Sequence, residues 1–148
     1  GKLGGALQKA DERVLLDQIH RDDRRLAVMR PEPSEGTTWV WKAASIWLGL
    51  TSAQRGNGTE YRRHCNAEEI QYQLTGRRTL VTQRGTLELE PGDFVKAPSG
   101  CAFTSIHSEP CSWLTMFSTK PLPRVAEPTR IGEPRTAAQL DELRKVAA

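Results

Sequence analysis

Between residues 58 and 107 the chain is broken every few residues by a turn signal. The stretch reads GTEYRRHCNAEEIQYQLTGRRTLVTQRGTLELEPGDFVKAPSGCAFTSIH. Breaks fall at Gly76, at Arg84-Gly85, at Pro91-Gly92-Asp93 and at Pro98-Ser99-Gly100. The segments between them, Thr79–Thr82, Thr86–Leu89 and Phe94–Ala97, are too short for helices and alternate as strands do. Gly76, Gly85, Gly92 and Gly100 are read as turn positions needing positive φ, which glycine adopts without steric cost. A chain punctuated in this way is confined to short antiparallel strands.

Period-two patterning continues on both sides. Thr37–Trp41 and Ser45–Leu50 are rich in β-branched and aromatic residues, and Ser112–Ser118 reads as a closing strand. About nine short strands at regular spacing predict an all-β, closed or nearly closed small barrel. Before it, apolar residues Leu7, Ala10, Val14, Leu15 and Ile19 follow helical spacing within residues 6–26, predicting an amphipathic N-terminal arm. Pro31–Gly36 separates that arm from the barrel, and Gln54–Gly58 (QRGNG) reads as a turn. After the barrel, Pro121, Pro123, Pro128 and Pro134 mark an extended tail. Thr136 and Gln139 have capping-box spacing at the start of a short C-terminal helix. The expected organisation is a helical arm and linker over residues 1–36, the barrel over 37–120, and tail plus helix over 121–148.

Strand parity proposes what lines the interior. If His64 points inward, so do Arg62 and Asn66. On the next strand Glu69, Gln71 and Gln73 share a face, with Ile70, Tyr72 and Leu74 on the other. A lumen holding these polar groups needs water or a polar ligand as partner; the opposite phase would give an ordinary apolar core. Trp39 and Trp41 are read as packing residues, while Trp47 remains a candidate for the lumen.

Two motifs sharpen the reading. The first runs Gly58, five residues, His64-Cys65-Asn66, then Glu69 and six further residues to Gly76; the second runs Pro91-Gly92-Asp93, five residues, then Pro98-Ser99-Gly100. Together they resemble the paired motifs of the cupin superfamily, most closely its homogentisate 1,2-dioxygenase-like group. The resemblance favours the inward phase for His64 and Glu69. It implies a cupin-type, jelly-roll-like barrel and a divalent transition metal such as Fe, Mn, Ni or Zn. Here His64 and Glu69 match two of the family's metal ligands. Asn66 stands where a second His would be, and Phe103 where the second-motif His would be. His107 has the parity to substitute, but it lies four residues along the strand, roughly 13 Å at ~3.3 Å per residue. A metal held by His64 and Glu69, with His107 as third ligand, and a metal-free site therefore both remain open. So does an Arg62–Glu69 ion pair with His64 hydrogen-bonded and no ligand.

The expected activity is that of a cupin-fold small-molecule enzyme, dioxygenase-like and so an oxidoreductase, on an aromatic or carboxylate substrate. His64, Glu69 and Arg62 would be catalytic, with Arg62, Asn66, Gln71, Gln73, Phe103 and Trp47 contacting substrate. The alternatives are a metal-free binding or regulatory cupin, the non-catalytic half of a two-barrel protein (the chain opens on Gly1, not Met), or a structural module. A homodimer through outer Trp and Leu faces is expected. The net charge of +3, from 21 basic and 18 acidic residues that interleave, gives no basic patch for nucleic acid. Mean hydropathy is −0.55, and no apolar run is long enough to span a bilayer. Cys65, Cys101 and Cys111 are odd in number and form no C-x-x-C pair. With no charged-then-apolar leader pattern in view, a reducing, cytoplasmic location is expected.

Overall fold

A strand that buries one face carries side chains of matching environment at every second position, and residues 68–74 do so, up to the register shift between Gln73 and Thr75. The computed structural model describes residues 8–148. They separate into two units, the first ending at Arg30 and the second running Pro31–Ala148. The first unit contains helix α1 (Glu12–Arg21), shorter than the 6–26 expected. Asp11 caps it by accepting the Arg13 amide, 2.8 Å away. At the other end Asp22 binds the Arg24 amide and guanidinium instead of continuing the helix. Short polar side chains compete for backbone in this way and stop helices. Ala10 lies before the cap, and Leu7 lies outside the described residues.

The second unit has nine strands among its described residues: β1 (Gly36–Lys42), β2 (Ile46–Ala53), β3 (Gly56–Asn57), β4 (Glu68–Thr75), β5 (Arg78–Thr82), β6 (Gly85–Leu89), β7 (Phe94–Ala97), β8 (Phe103–His107) and β9 (Cys111–Ser118). They form a five-stranded sheet, β1-β2-β9-β4-β7, and a four-stranded sheet, β3-β8-β5-β6. All pairings are antiparallel. The segment expected as a plain turn at 54–58 holds the two-residue strand β3, paired with His107 and Ile106. Gly56 permits that pairing, since a Cβ there would lie 2.6 Å from the Ser105 carbonyl oxygen.

A bulge in β1 decides the fate of two tryptophans. Trp39 pairs with Gly49, but the register slips so that Trp41 pairs with Leu48. One extra residue reverses side-chain parity: Trp39 turns into the barrel, whereas Trp41 is 59% exposed. Trp39 lies on β2 where Gly49 leaves room, because a Cβ at 49 would stand 2.9 Å from Trp39 Cε3 and 2.6 Å from the Thr38 carbonyl oxygen. Gly49→Ala is expected to cost about 1–3 kcal/mol through overpacking, read as a lower urea midpoint. An unchanged midpoint would contradict this packing.

The C-terminal segment ties onto the barrel at several points. Leu122 donates its amide to Glu68 (2.9 Å) and accepts from Lys96 Nζ (2.6 Å). Glu133 bridges Thr86, adding a short backbone pairing to β6. Helix α2 (Ala137–Ala147) starts with the expected capping box at Thr136 and Gln139, and its Arg144 donates to the Gly58 carbonyl at 3.0 Å. The three cysteines are free, Cys65 exposed and Cys101 and Cys111 buried. Burial pushes the Cys111 thiol up from its ordinary value, and its Sγ donates to the Arg77 carbonyl at 3.3 Å. A thiol-disulfide dye at mildly alkaline pH should therefore label one cysteine in the native protein and all three after denaturation. Rapid labelling of all three in the native state would contradict that burial.

Candidate functional site

Glu69, Gln71 and Gln73 alternate along β4 and are all buried, while Ile70 and Tyr72 are half-buried and Leu74 is exposed. The polar phase thus faces the lumen. Register places Glu69 opposite Ala97 on β7 and Phe117 on β9, with Trp47 opposite Phe117 on the other side. These residues form one end of the barrel. Gln71 with Thr115, then Gln73 with Trp113, form successively deeper layers.

His64 reaches that end from an irregular loop, 58–67, that precedes β4. The loop is fixed by the amide of Gly100, donated to the His64 carbonyl at 2.6 Å. Ser99 Oγ adds a bond to the Cys65 carbonyl at 2.8 Å. Gly100 itself adopts φ +82°, as its turn required. The His64 ring packs on Phe117 with centroids 4.4 Å apart, and Nε2 lies 3.0 Å from Glu69 Oε1. A carboxylate only accepts hydrogen bonds, so in this contact Nε2–H is the donor and Glu69 Oε1 the acceptor. The His64 side chain is 36% exposed and that of Glu69 8%, which sets the imidazole at the water boundary and its partner behind it.

Behind Glu69 a chain of contacts runs inward. Gln71 Nε2 donates to Glu69 Oε2, and Gln71 Oε1 accepts from Arg78 Nη2. Arg78 also donates to Gln73 Oε1 (2.8 Å) and Ser105 Oγ (2.9 Å). Its guanidinium lies 3.6 Å from the Trp113 ring centroid, a cation–π stack out of water. Gln73 is itself fixed by donating to the carbonyls of Thr75 and Gly76. Burial pushes Arg78 down to about 10, partly offset by Cys111 and Glu69, which leaves it cationic at neutral pH. Around the mouth Trp39, Trp47 and Phe117 form an aromatic wall, with Trp39–Phe117 centroids 4.8 Å apart and Trp39–Trp47 5.4 Å. Lys42 Nζ stands 3.9 Å from the Trp47 ring centroid.

Several sequence expectations need correction. Arg62 and Asn66 are exposed, not inward. Arg62 lies 3.7 Å from Glu60, not against Glu69. Parity failed because residues 59–67 are not a pleated strand; Arg62 makes only an isolated bridge with Phe103. Phe103 is half-buried opposite Thr82, at the mouth end of β8. His107 is buried at the other end of that strand, its Nδ1 2.7 Å from the Glu109 carbonyl oxygen, and it does not meet His64 and Glu69. Arg78, the lumen's arginine, lies one residue before the strand expected at Thr79–Thr82. Extending the alternation Leu80–Arg78 back by one step would have found it.

Two donors, His64 and Glu69, converge at the mouth, and among the described residues no group of three or more His, Cys, Asp or Glu could hold a metal ion. Catalytic transition-metal centres ordinarily take three protein ligands, and Gln71 already occupies the second Glu69 oxygen. The residues present do not fit such a metal.

No protein-family model and no curated protein matches the chain. Solved structures do. KdgF from Halomonas sp. is 20% identical with a TM-score of 0.53, covering 63% of this chain and 87% of its own. A cupin superfamily protein from Desulfitobacterium hafniense is 13% identical, TM-score 0.51, covering 66% and 92%. A double-stranded β-helix domain protein from Klebsiella pneumoniae is 18% identical, TM-score 0.51, covering 67% and 87%. At these identities the likeness speaks for architecture. Strand order, the two facing sheets and these neighbours agree that the chain has the cupin fold, a small β-barrel with a helical N-terminal arm and a short C-terminal helix.

Proposed function

We propose that the protein acts on, or binds, a small aromatic carboxylate at the barrel mouth without a metal, with the His64–Glu69 pair as its acid–base centre. The observation that carries this reading is the half-exposed imidazole held 3.0 Å from a buried carboxylate beside an aromatic wall. An imidazole oriented by a carboxylate is a standard general base: Glu69 holds Nε2–H, and Nδ1 takes the proton. Trp39, Trp47 and Phe117 offer stacking surface for a ring. Lys42, above Trp47, supplies a cation at the rim for a carboxylate. The dioxygenase-like reading has less support, because it needs a metal centre and only two donors converge.

The test is a ligand screen by NMR on chelator-treated protein, using benzoates, phenols and aliphatic acids, repeated on His64→Ala and Trp47→Ala. Saturable binding of aromatic acids that weakens in both variants is expected. Binding indifferent to both substitutions would overturn the assignment of the site.

A further inference from the structure

The chain of contacts behind His64 ends on a buried cation, Arg78, that forms no salt bridge among the described residues. Arg78 is 3% exposed, and its hydrogen-bonding side-chain partners, Gln71, Gln73 and Ser105, are all neutral. A buried charge is tolerated when it is hydrogen-bonded and balanced, and the nearest anionic group along the chain is Glu69, one amide away. Gln71 is suited to the link. Its amide oxygen accepts from the guanidinium while its amide nitrogen donates to the carboxylate, so each charge selects the same side-chain orientation. A reversed amide would set N–H against N–H and oxygen against oxygen.

We infer that Arg78 and Gln71 are positioning residues for the His64–Glu69 pair: Arg78 is the internal counter-cation of Glu69, and Gln71 relays it, fixing the carboxylate so that Oε1 meets His64 Nε2–H. The inference rests on the reading of that pair as the acid–base centre. It also gives the lumen its charge balance in place of a metal. The guanidinium supplies from within the chain the positive charge that faces the carboxylate, and Glu69 Oε2 is already committed to Gln71. Hydrogen bonds to charged groups in a low-dielectric interior are stronger than neutral ones and reinforce one another along a chain. Loss of the middle member should therefore be felt at the far end, at His64.

The experiment follows the His64 imidazole Nε2–H by proton and nitrogen NMR in wild type, Gln71→Met, Arg78→Met and Arg78→Lys, with no ligand present. Wild type should show a slowly exchanging, low-field imidazole proton that disappears in His64→Ala. Gln71→Met has nearly the same volume and keeps the Arg78 bonds to Gln73 and Ser105. It should raise the exchange rate of that proton at least tenfold while keeping a cooperative melt. Arg78→Met should do the same where it folds, and Arg78→Lys should recover part of the protection. A merely structural Gln71 would shift the melt and leave exchange at His64 alone. Wild-type exchange in Gln71→Met overturns the relay even if Arg78→Met fails to fold, and it leaves the His64–Glu69 reading standing. Absence of the protected proton in wild type overturns the pair itself, and the relay with it.

Discussion

Replacing Arg78 with methionine should lower folding stability by about 3–5 kcal/mol, the range measured when one member of a buried charged network is removed. The substitution keeps most of the side-chain volume, so little of the loss comes from a cavity. It arises because Gln71, Gln73 and Ser105 lose their guanidinium donors and because Trp113 loses the stacked cation. Glu69 meanwhile keeps its burial without an internal counter-charge. Unsatisfied buried groups cost more than the bonds they formerly made contributed. Urea unfolding should show a reduced midpoint at an unchanged slope, since the surface exposed on unfolding is nearly the same. Arg78→Lys should fall between the two, as it keeps the charge but loses the planar fork. A loss below about 1 kcal/mol for Arg78→Met would place the residue among ordinary surface substitutions and contradict its role in the lumen.

The second large effect belongs to His64. Once a turned-over substrate is found, His64→Ala should reduce kcat/KM by about 10²–10⁴-fold, the usual contribution of a positioned general base. Its stability cost should be small, because the side chain is partly in water. Glu69→Gln separates orientation from chemistry. The amide no longer stabilises the imidazolium that forms, and when its oxygen accepts from Nε2–H its N–H faces the Gln71 donor, so kcat should fall more than KM changes. Equal kcat in wild type and His64→Ala would remove the residue from the chemistry and leave the mouth as a binding site.

How much of this could be read from the sequence depended on whether a segment was a true strand. Glycine and proline breaks delimited β5, β6 and β7 to within a residue, because each tight turn needs a backbone that few other residues adopt. On β4 the run Glu69-Gln71-Gln73 gave the correct inward face, since alternation is geometric once a strand exists. The same rule, applied to Arg62, His64 and Asn66, placed two of three residues wrongly. That segment is a loop held by Gly100 and Ser99, contacts made about 35 residues away that local pattern cannot show. Trp39 and Trp41 look alike in the sequence because nothing local announces the bulge between them; it follows from pairing with β2. Arg78 is half legible: alternation back from Leu80 sets it on the inward face, but its burial depends on partners from other strands. A lone arginine after a turn looks solvated until Trp113, on the distant strand β9, stacks on it and the preceding strand β4 brings Gln71 and Gln73 against its guanidinium.

The measurement that bears most directly on the metal-independent site is a titration of chelated, metal-analysed protein with an aromatic carboxylate from the screen, read at the His64 ring nitrogens. The account predicts saturable shifts at Nδ1, with the Nε2–H signal retained, and the same affinity before and after chelation. Binding that returns only when iron, manganese, nickel or zinc is restored, with the metal on His64, would contradict it.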